Sequence, residues 1–318
     1  MTQSLNRLDR LFLSDIKVQI KIALTEPAIN QAVQRAADKA GLSIVAPPVD
    51  FSIVGSYENK SVDINRFNVY VERSIALPDG IEPSQITTGV VIDSNGNVRH
   101  VPTKVVQING IYCAVINSLT NSTYAVVWNP LEFSDVSHHW AKEAVNDMGA
   151  RMIVKGTGHE LFTPDKEITR AEFASIIVRA LGLNEENDSS NFGDVGSSAW
   201  YAGAVQTAYD YKLINGLGDG LFHPTEKITR EQALVIITKA MQLTDLKVDW
   251  SQQDSEEILN SYTDAKKVSS WAKDATAIVL LTGILNGKSD QILAPKDFIT
   301  RAEIAALMQR LLQKSDLI

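Results

Sequence analysis

One cysteine, Cys113, is all that 318 residues contain. A disulfide framework within the chain is excluded, and a lone thiol in an apolar alternating stretch reads as a core residue. No apolar run is as long as a bilayer span, so membrane insertion is not expected. Basic residues are not in excess: 30 Lys and Arg stand against 38 Asp and Glu, for a net charge of −8. That balance argues against nucleic acid as a partner, and an anionic ligand would have to be met by local positive sites. The opening, Met1 to Asp15, lacks the layout of a secretory signal, so a role outside the cell would make this sequence a fragment or a mature form. The histidines do not recur at matching places, as His138, His139, His159 and His223 show. No spaced His/Cys/Asp set is present, so neither a metal, nor a cofactor, nor a shared acid–base mechanism is expected. Asp219-Gly220 hints at a calcium loop but lacks the alternating carboxylates and terminal Glu that such a loop needs.

Two kinds of segment are present, and they divide the chain near residue 130. Pro27 to Ala40 carries apolar residues at Ile29, Val33, Ala36 and Ala40 and stops before Gly41, which predicts one helix. The period then falls to two. Strands are expected over 43–45, 50–57, 62–64, 67–75, 87–93, 98–107, 111–117 and 123–128. Hairpin tips are expected at Ser94-Asn95-Gly96-Asn97 and Asn109-Gly110, and loops at Pro47-Pro48 and Pro78-Asp79-Gly80. This predicts a sandwich-like β-rich domain with one helix. His100 is a lone strand histidine, read as exposed or structural.

Beyond residue 130 a pattern occurs three times. Each copy opens with an aromatic residue and an Asp two places on: Phe133 and Asp135, Phe192 and Asp194, Tyr262 and Asp264. A Trp follows at Trp140, Trp200 and Trp271, then a helical stretch closed by Gly156, Gly216 and Gly287. A loop with Pro164, Pro224 or Pro295 leads to Ile-Thr-Arg at Ile168, Ile228 and Ile299. The separation from Trp to Arg is constant: 140 to 170, 200 to 230, 271 to 301. From Gly to Arg it is equally fixed. One such helix–loop–helix is too small to bury its own apolar face, so three are expected to share a core. An insertion around Thr244 to Asn260 reads as a solvated linker with a short helical piece.

The second helix of each copy starts with a capping box. Thr169, Thr229 and Thr300 are the N-caps, and Glu172, Gln232 and Glu303 reach back to them. Those residues are accounted for. Arg170, Arg230 and Arg301 are not, because the first turn of a helix disfavours a cation. Two readings stand: an Arg facing an anionic ligand at a helix N-terminus, or an Arg paired with a structural carboxylate. The Trp read as helix anchors whose faces could also line a groove for a sugar ring. The Asp read chiefly as loop fixers. The Gly read as left-handed helix caps or as points where a ligand comes close to the backbone.

Taken together, the aromatic-x-Asp lead-in, the Trp, the closing Gly, the Phe-x-Pro loop and Thr-Arg-Ala-Glu resemble S-layer homology domains. The resemblance covers about 180 residues. It is closest in the first copy; the second departs at Glu231-Gln232, and the third at Tyr262 and Leu293. It implies an α+β multidomain chain. The parts are a β-rich domain at 1–130 and an all-α pseudo-threefold unit of helix–loop–helix repeats at 131–190, 191–250 and 251–318. It further implies a non-enzymatic, monomeric anchor at the cell surface that binds pyruvylated secondary cell-wall polysaccharide without covalent attachment. Arg170, Arg230 and Arg301 would bind the pyruvate carboxylate, and the three Asp, three Trp and three Gly would line the grooves. The alternatives are a carbohydrate-active enzyme fragment with its activity in the β-rich part, and a self-assembling surface-layer subunit.

Overall fold

The computed structural model describes residues 15–93, 95–185, 190–250 and 252–318. The stretch up to Ser14 read for a secretory signal, and Ser94 of the expected hairpin tip, lie outside the described residues. The first half of the chain is built on two antiparallel sheets. Its elements are β1 (Lys17–Leu24), α1 (Pro27–Ala40), β2 (Ser43–Tyr57), β3 (Lys60–Asp63), β4 (Arg66–Ala76), β5 (Thr88–Ile92), β6 (Val98–Val101), β7 (Thr103–Ile108), β8 (Ile111–Thr120) and β9 (Thr123–Trp128). The larger sheet runs β1-β2-β9-β5-β6 with β3 on β2, and the smaller runs β4-β8-β7.

The alternation of β9 shows how the layers form. Tyr124 and Val126 point into the core between the sheets, with Phe51, Ile75, Val91 and Ile116. Ala125 and Val127 point the other way, onto Val33 and Ala37 of α1. Successive strand residues thus serve two interfaces, which is why β9 is apolar from Tyr124 to Val127 on both faces. Two expectations change here. β1 was not among the expected strands, although Lys17-Val18-Gln19-Ile20-Lys21-Ile22 alternates. Pro47-Pro48 is not a loop but lies inside β2, where the pairing with β9 slips between Ile44 and Ala46 and again between Ala46 and Val49. Bulges of this kind let a strand carry residues that lack a backbone N–H.

The second half comprises α2 (Lys142–Ala150), α3 (Arg170–Ala180), α4 (Ala202–Asp210), α5 (Arg230–Leu243), α6 (Gln252–Leu259), α7 (Lys273–Leu281) and α8 (Arg301–Lys314). The linker's helical piece is α6. One apolar cluster runs through all three repeats, with Phe173, Ile177, Val205, Ile237, Ala277, Ile304 and Met308 among its members. The second helix of each repeat packs on the first helix of the next: α3 on α4, α5 on α7, and α8 back on α2.

Two parts of the predicted fold class are corrected. The repeat unit is not all-α. Isolated β-bridges join the segments ahead of the second helices, at Glu167–Thr300, Thr169–Lys227 and Thr229–Phe298. Three backbone bonds close a ring: Ile168 N–H to Ile299 C=O (3.1 Å), Ile299 N–H to Ile228 C=O (3.1 Å) and Ile228 N–H to Ile168 C=O (3.3 Å). These isoleucines are buried, so their backbone groups must find partners, and only the neighbouring repeats are in reach. Nor does the β-rich half hold a single helix, since a 3₁₀ turn at Pro83–Gln85 precedes β5.

The two halves are pinned together. Tyr70 Oη donates to the Leu181 carbonyl (2.7 Å), Asn129 Nδ2 to Ala150 (2.6 Å) and Arg151 Nη1 to Thr103 (3.1 Å). Burial pushes the Tyr70 phenol far above its usual range, so it stays protonated and donating. Past α8, Asp316 pairs with Lys104 of β7 (2.6 Å).

Candidate functional site

The start of each second helix comes first, because the unexplained Arg lies there. All three capping boxes form as expected. The remaining free N–H groups of the first turn are also taken. Arg170 and Ala171 donate to the carbonyls of Glu226 and Pro224, Arg230 and Glu231 to Asp297 and Pro295, and Arg301 and Ala302 to Lys166 and Pro164. With its first three donors bonded to protein, the helix N-terminus has none to offer an anion. Any anion chemistry must therefore come from side chains.

Each Arg reaches across to the next repeat. Arg170 Nε donates to Phe222 C=O (2.8 Å), Arg230 Nε to Leu293 C=O (2.9 Å) and Arg301 Nε to Phe162 C=O (2.7 Å). The guanidinium of Arg170 lies 4.8 Å from the Phe222 ring centroid, and that of Arg301 lies 4.4 Å from the Phe162 ring. Burial lowers the pKa of both, but an Arg remains charged at any working pH. The arginines differ at their outer nitrogens. Arg230 Nη1 pairs with Glu303 at 2.6 Å, Arg301 Nη2 donates to Lys155 C=O, and those of Arg170 have no partner among the described residues.

Three grooves result. The first has Arg170, Gly216, Gln232, Lys239 and Trp271 on its walls and holds about 470 Å³. Arg230, Gly287, Glu303, Arg310 and Trp140 line the second, of about 490 Å³. The third, of about 260 Å³, is lined by Arg301, Gly156, Glu172, Arg179 and Trp200. Every groove takes its Arg from one repeat, its Gly and second helix from the next, and its Trp from the one after.

The other expected residues divide. Trp140, Trp200 and Trp271 are 64%, 66% and 58% exposed. They are not the helix anchors expected; each stands as a wall of a groove. Gly156, Gly216 and Gly287 line the grooves but are not left-handed caps, because that backbone conformation belongs to Met152, Lys212 and Gly283. Glycine is needed for space. A Cβ at Gly216 would meet Leu221 O at 2.7 Å, and one at Gly156 would meet Leu161 O at 2.9 Å and the Phe133 ring at 2.8 Å. Asp135, Asp194 and Asp264 line none of the three grooves. Their carboxylates accept backbone N–H pairs from Phe162 and Thr163, Phe222 and His223, and Leu293 and Ala294. The second residue of each pair has positive φ, and Asp fixes it. Burial acts to raise the Asp194 carboxyl, yet the Phe222 and His223 N–H groups hold it below the usual range.

Two groups on the walls were not expected. Arg179, Lys239 and Arg310 lie nine residues after the Arg of the capping stretch in every copy, and burial lowers the pKa of each. A basic residue at that fixed offset was the available signal. Glu172, Gln232 and Glu303 were read as caps alone. They do cap, and they also face the grooves.

Clefts walled by an exposed Trp and floored by Arg thus recur three times in one frame of paired helices. The S-layer homology domain profile matches residues 132–174, 191–234 and 261–305. The chain therefore carries three tandem S-layer homology domains. It is 30% identical to an amylopullulanase of Thermoanaerobacterium thermosulfurigenes over 99% of this chain and 17% of that protein. Identity is 31% to a cellulosome-anchoring protein of Acetivibrio thermocellus, over 52% of this chain and 36% of that one. An S-layer protein of Bacillus anthracis is 29% identical over 62% of this chain and 24% of its own length. The match thus takes up well under half of each of these relatives.

Proposed function

We propose that this chain is a cell-wall anchoring region whose S-layer homology domains bind pyruvylated secondary cell-wall polysaccharide. In this reading the divisions fall at 1–130, 131–190, 191–250 and 251–318, with the β-rich part as a spacer. The chain acts outside the cell as a monomer, and itself catalyses nothing. One observation carries the reading: an exposed Trp meets an Arg from a different repeat in every groove, the Arg buried at Arg170 and Arg230 and half-buried at Arg301. A flat indole suits the apolar face of a sugar ring, and a guanidinium held in a low-dielectric wall suits a carboxylate. The names of two relatives, a cellulosome-anchoring protein and an S-layer protein, agree with attachment at the surface.

Co-sedimentation with purified wall polysaccharide tests this. The chain is expected to pellet with pyruvylated polymer and to stay in solution with polymer stripped of pyruvate. The triple variant Trp140→Ala, Trp200→Ala, Trp271→Ala is expected to lose pelleting while keeping its melting temperature, since exposed side chains away from the core contribute within about 0.5 kcal/mol. Equal pelleting with stripped polymer would refute the carboxylate part of the reading.

A further inference from the structure

The three grooves are built to one plan but are not equivalent, and the difference lies at one position. The third residue of each second helix is Glu172, Gln232 or Glu303. In the second groove Glu303 divides its carboxylate. One oxygen caps Thr300 N–H (2.9 Å), and the other takes Arg230 Nη1 (2.6 Å). Both partners are largely withdrawn from solvent. A ligand carboxylate arriving there meets a guanidinium already paired through Nη1 with an internal carboxylate, and so gains less.

Gln232 occupies the same place in the first groove. Its Oε1 caps Thr229 N–H at 3.0 Å, which leaves its amide nitrogen, a donor, for the groove. Among the described residues, no carboxylate lines this groove. The nearest two act on Arg170 only at a distance and are engaged elsewhere: Asp194 with the Phe222 and His223 N–H groups, Glu226 with His223 Nδ1 at 3.1 Å. Arg170 is just 6% exposed and is held from behind by Phe222, with no partner for its outer nitrogens among the described residues. Lys239 adds a second cation, and Leu213, Ile214, Val235 and Ile236 keep the surroundings apolar. The third groove is smaller and contains Glu172, and one outer nitrogen of Arg301 is committed to Lys155 C=O.

We infer that the first groove, between Arg170, Gln232, Lys239 and Trp271, is the preferred seat for the carboxylate-bearing sugar, and that Gln232 sets this preference. The inference rests on the binding reading above and assigns its anion to one groove. Among the described residues, the carboxylate-free lining belongs to this groove, while in the other two a Glu competes with the ligand anion.

Each groove carries its own reporter, because Trp271, Trp140 and Trp200 wall the first, second and third. Indole N–H signals of the full chain, assigned with single Trp→Phe variants, are followed during titration with a pyruvylated N-acetylhexosamine methyl glycoside and with its pyruvate-free counterpart. The Trp271 signal is expected to respond at the lowest concentration. Gln232→Glu should raise that concentration about tenfold or more, the equivalent of one charge-assisted hydrogen bond. Glu303→Gln should bring the Trp140 response to lower concentration. Neither variant removes a cap, since Glu and Gln both serve at this position in the chain. A first response at Trp140 or Trp200, or an unchanged Trp271 response in Gln232→Glu, overturns the assignment and leaves the binding reading intact. If the pyruvate-free sugar acts equally well, or neither sugar moves any indole, the binding reading falls and the assignment with it.

Discussion

His100 sits on β6, 2% exposed, with its Nδ1 2.8 Å from the Thr88 hydroxyl. Burial, then the nearby Arg151 and Arg99, push its pKa well below the usual range. The unfolded chain takes up this proton near pH 6.5, and the folded chain does so only much lower. The stability that depends on a neutral His100 is therefore complete above about pH 6.5 and is lost as pH falls below it, by about 1.4 kcal/mol per pH unit. Urea unfolding between pH 7 and pH 5.5 should show a shallower slope for His100→Gln than for the parent chain; equal slopes would mean that the ring is charged in the fold. Of the two readings left open for this residue, exposed or structural, the second holds. Sequence pattern could not choose between them, because β6 is flanked by α3 of the other half, and a contact between segments so far apart in the chain has no local signature. The groove arginines show the opposite case. A cation at a disfavoured helical position was legible in the sequence, and its meaning was not: the anion-binding helix terminus first suggested by Arg170 is occupied by the backbone of the next repeat.

Among the elements, the loops between paired helices carry the most information per residue. Each is held by one Asp across a span of nearly thirty residues, and the residue it holds is left-handed without being Gly: Thr163, His223 or Ala294. Replacing Asp194 by Asn turns one of its two acceptors into a donor facing a backbone N–H. The expected loss is about 1–3 kcal/mol by denaturant unfolding, and it should shrink as pH falls below the usual carboxylate range and the parent carboxylate, held low by its two N–H donors, also takes up a proton. A loss that did not change with pH would point to packing instead. The aromatic-x-Asp spacing announced this role, and the capping boxes were legible to the residue. The Gly role was not. Gly156, Gly216 and Gly287 are required because a carbonyl and an aromatic ring press on the Cα, a tertiary crowding that turn rules do not register. β1 was missed although its alternation is present, and Pro47-Pro48 was read by the ordinary rule for a loop where a double bulge lets the strand continue.

For the whole molecule, the governing fact is that the three repeats close on one another. Each lends backbone acceptors to the first turn of another's helix, and no groove is complete within fewer than three repeats. A chain ending at residue 250 would lose Ile299, Arg301 and the partner helices of α2 and α5. It is expected to unfold at a lower temperature and with less cooperativity by calorimetry, and to lose polysaccharide pelleting altogether, rather than to keep two thirds of it. Retention of two thirds would show repeats acting as independent beads.

The docking of Asp316 on Lys104, past the end of α8, has a mechanical side. The tail of the last repeat is fastened to the β-rich half that precedes the first. Tension arriving along the chain through that half therefore falls on both ends of the helical ring at once. Opening the ring on the α8 side must also break its contacts with the β-rich half, the Asp316–Lys104 pair and the Asn117 bond to the Leu317 carbonyl.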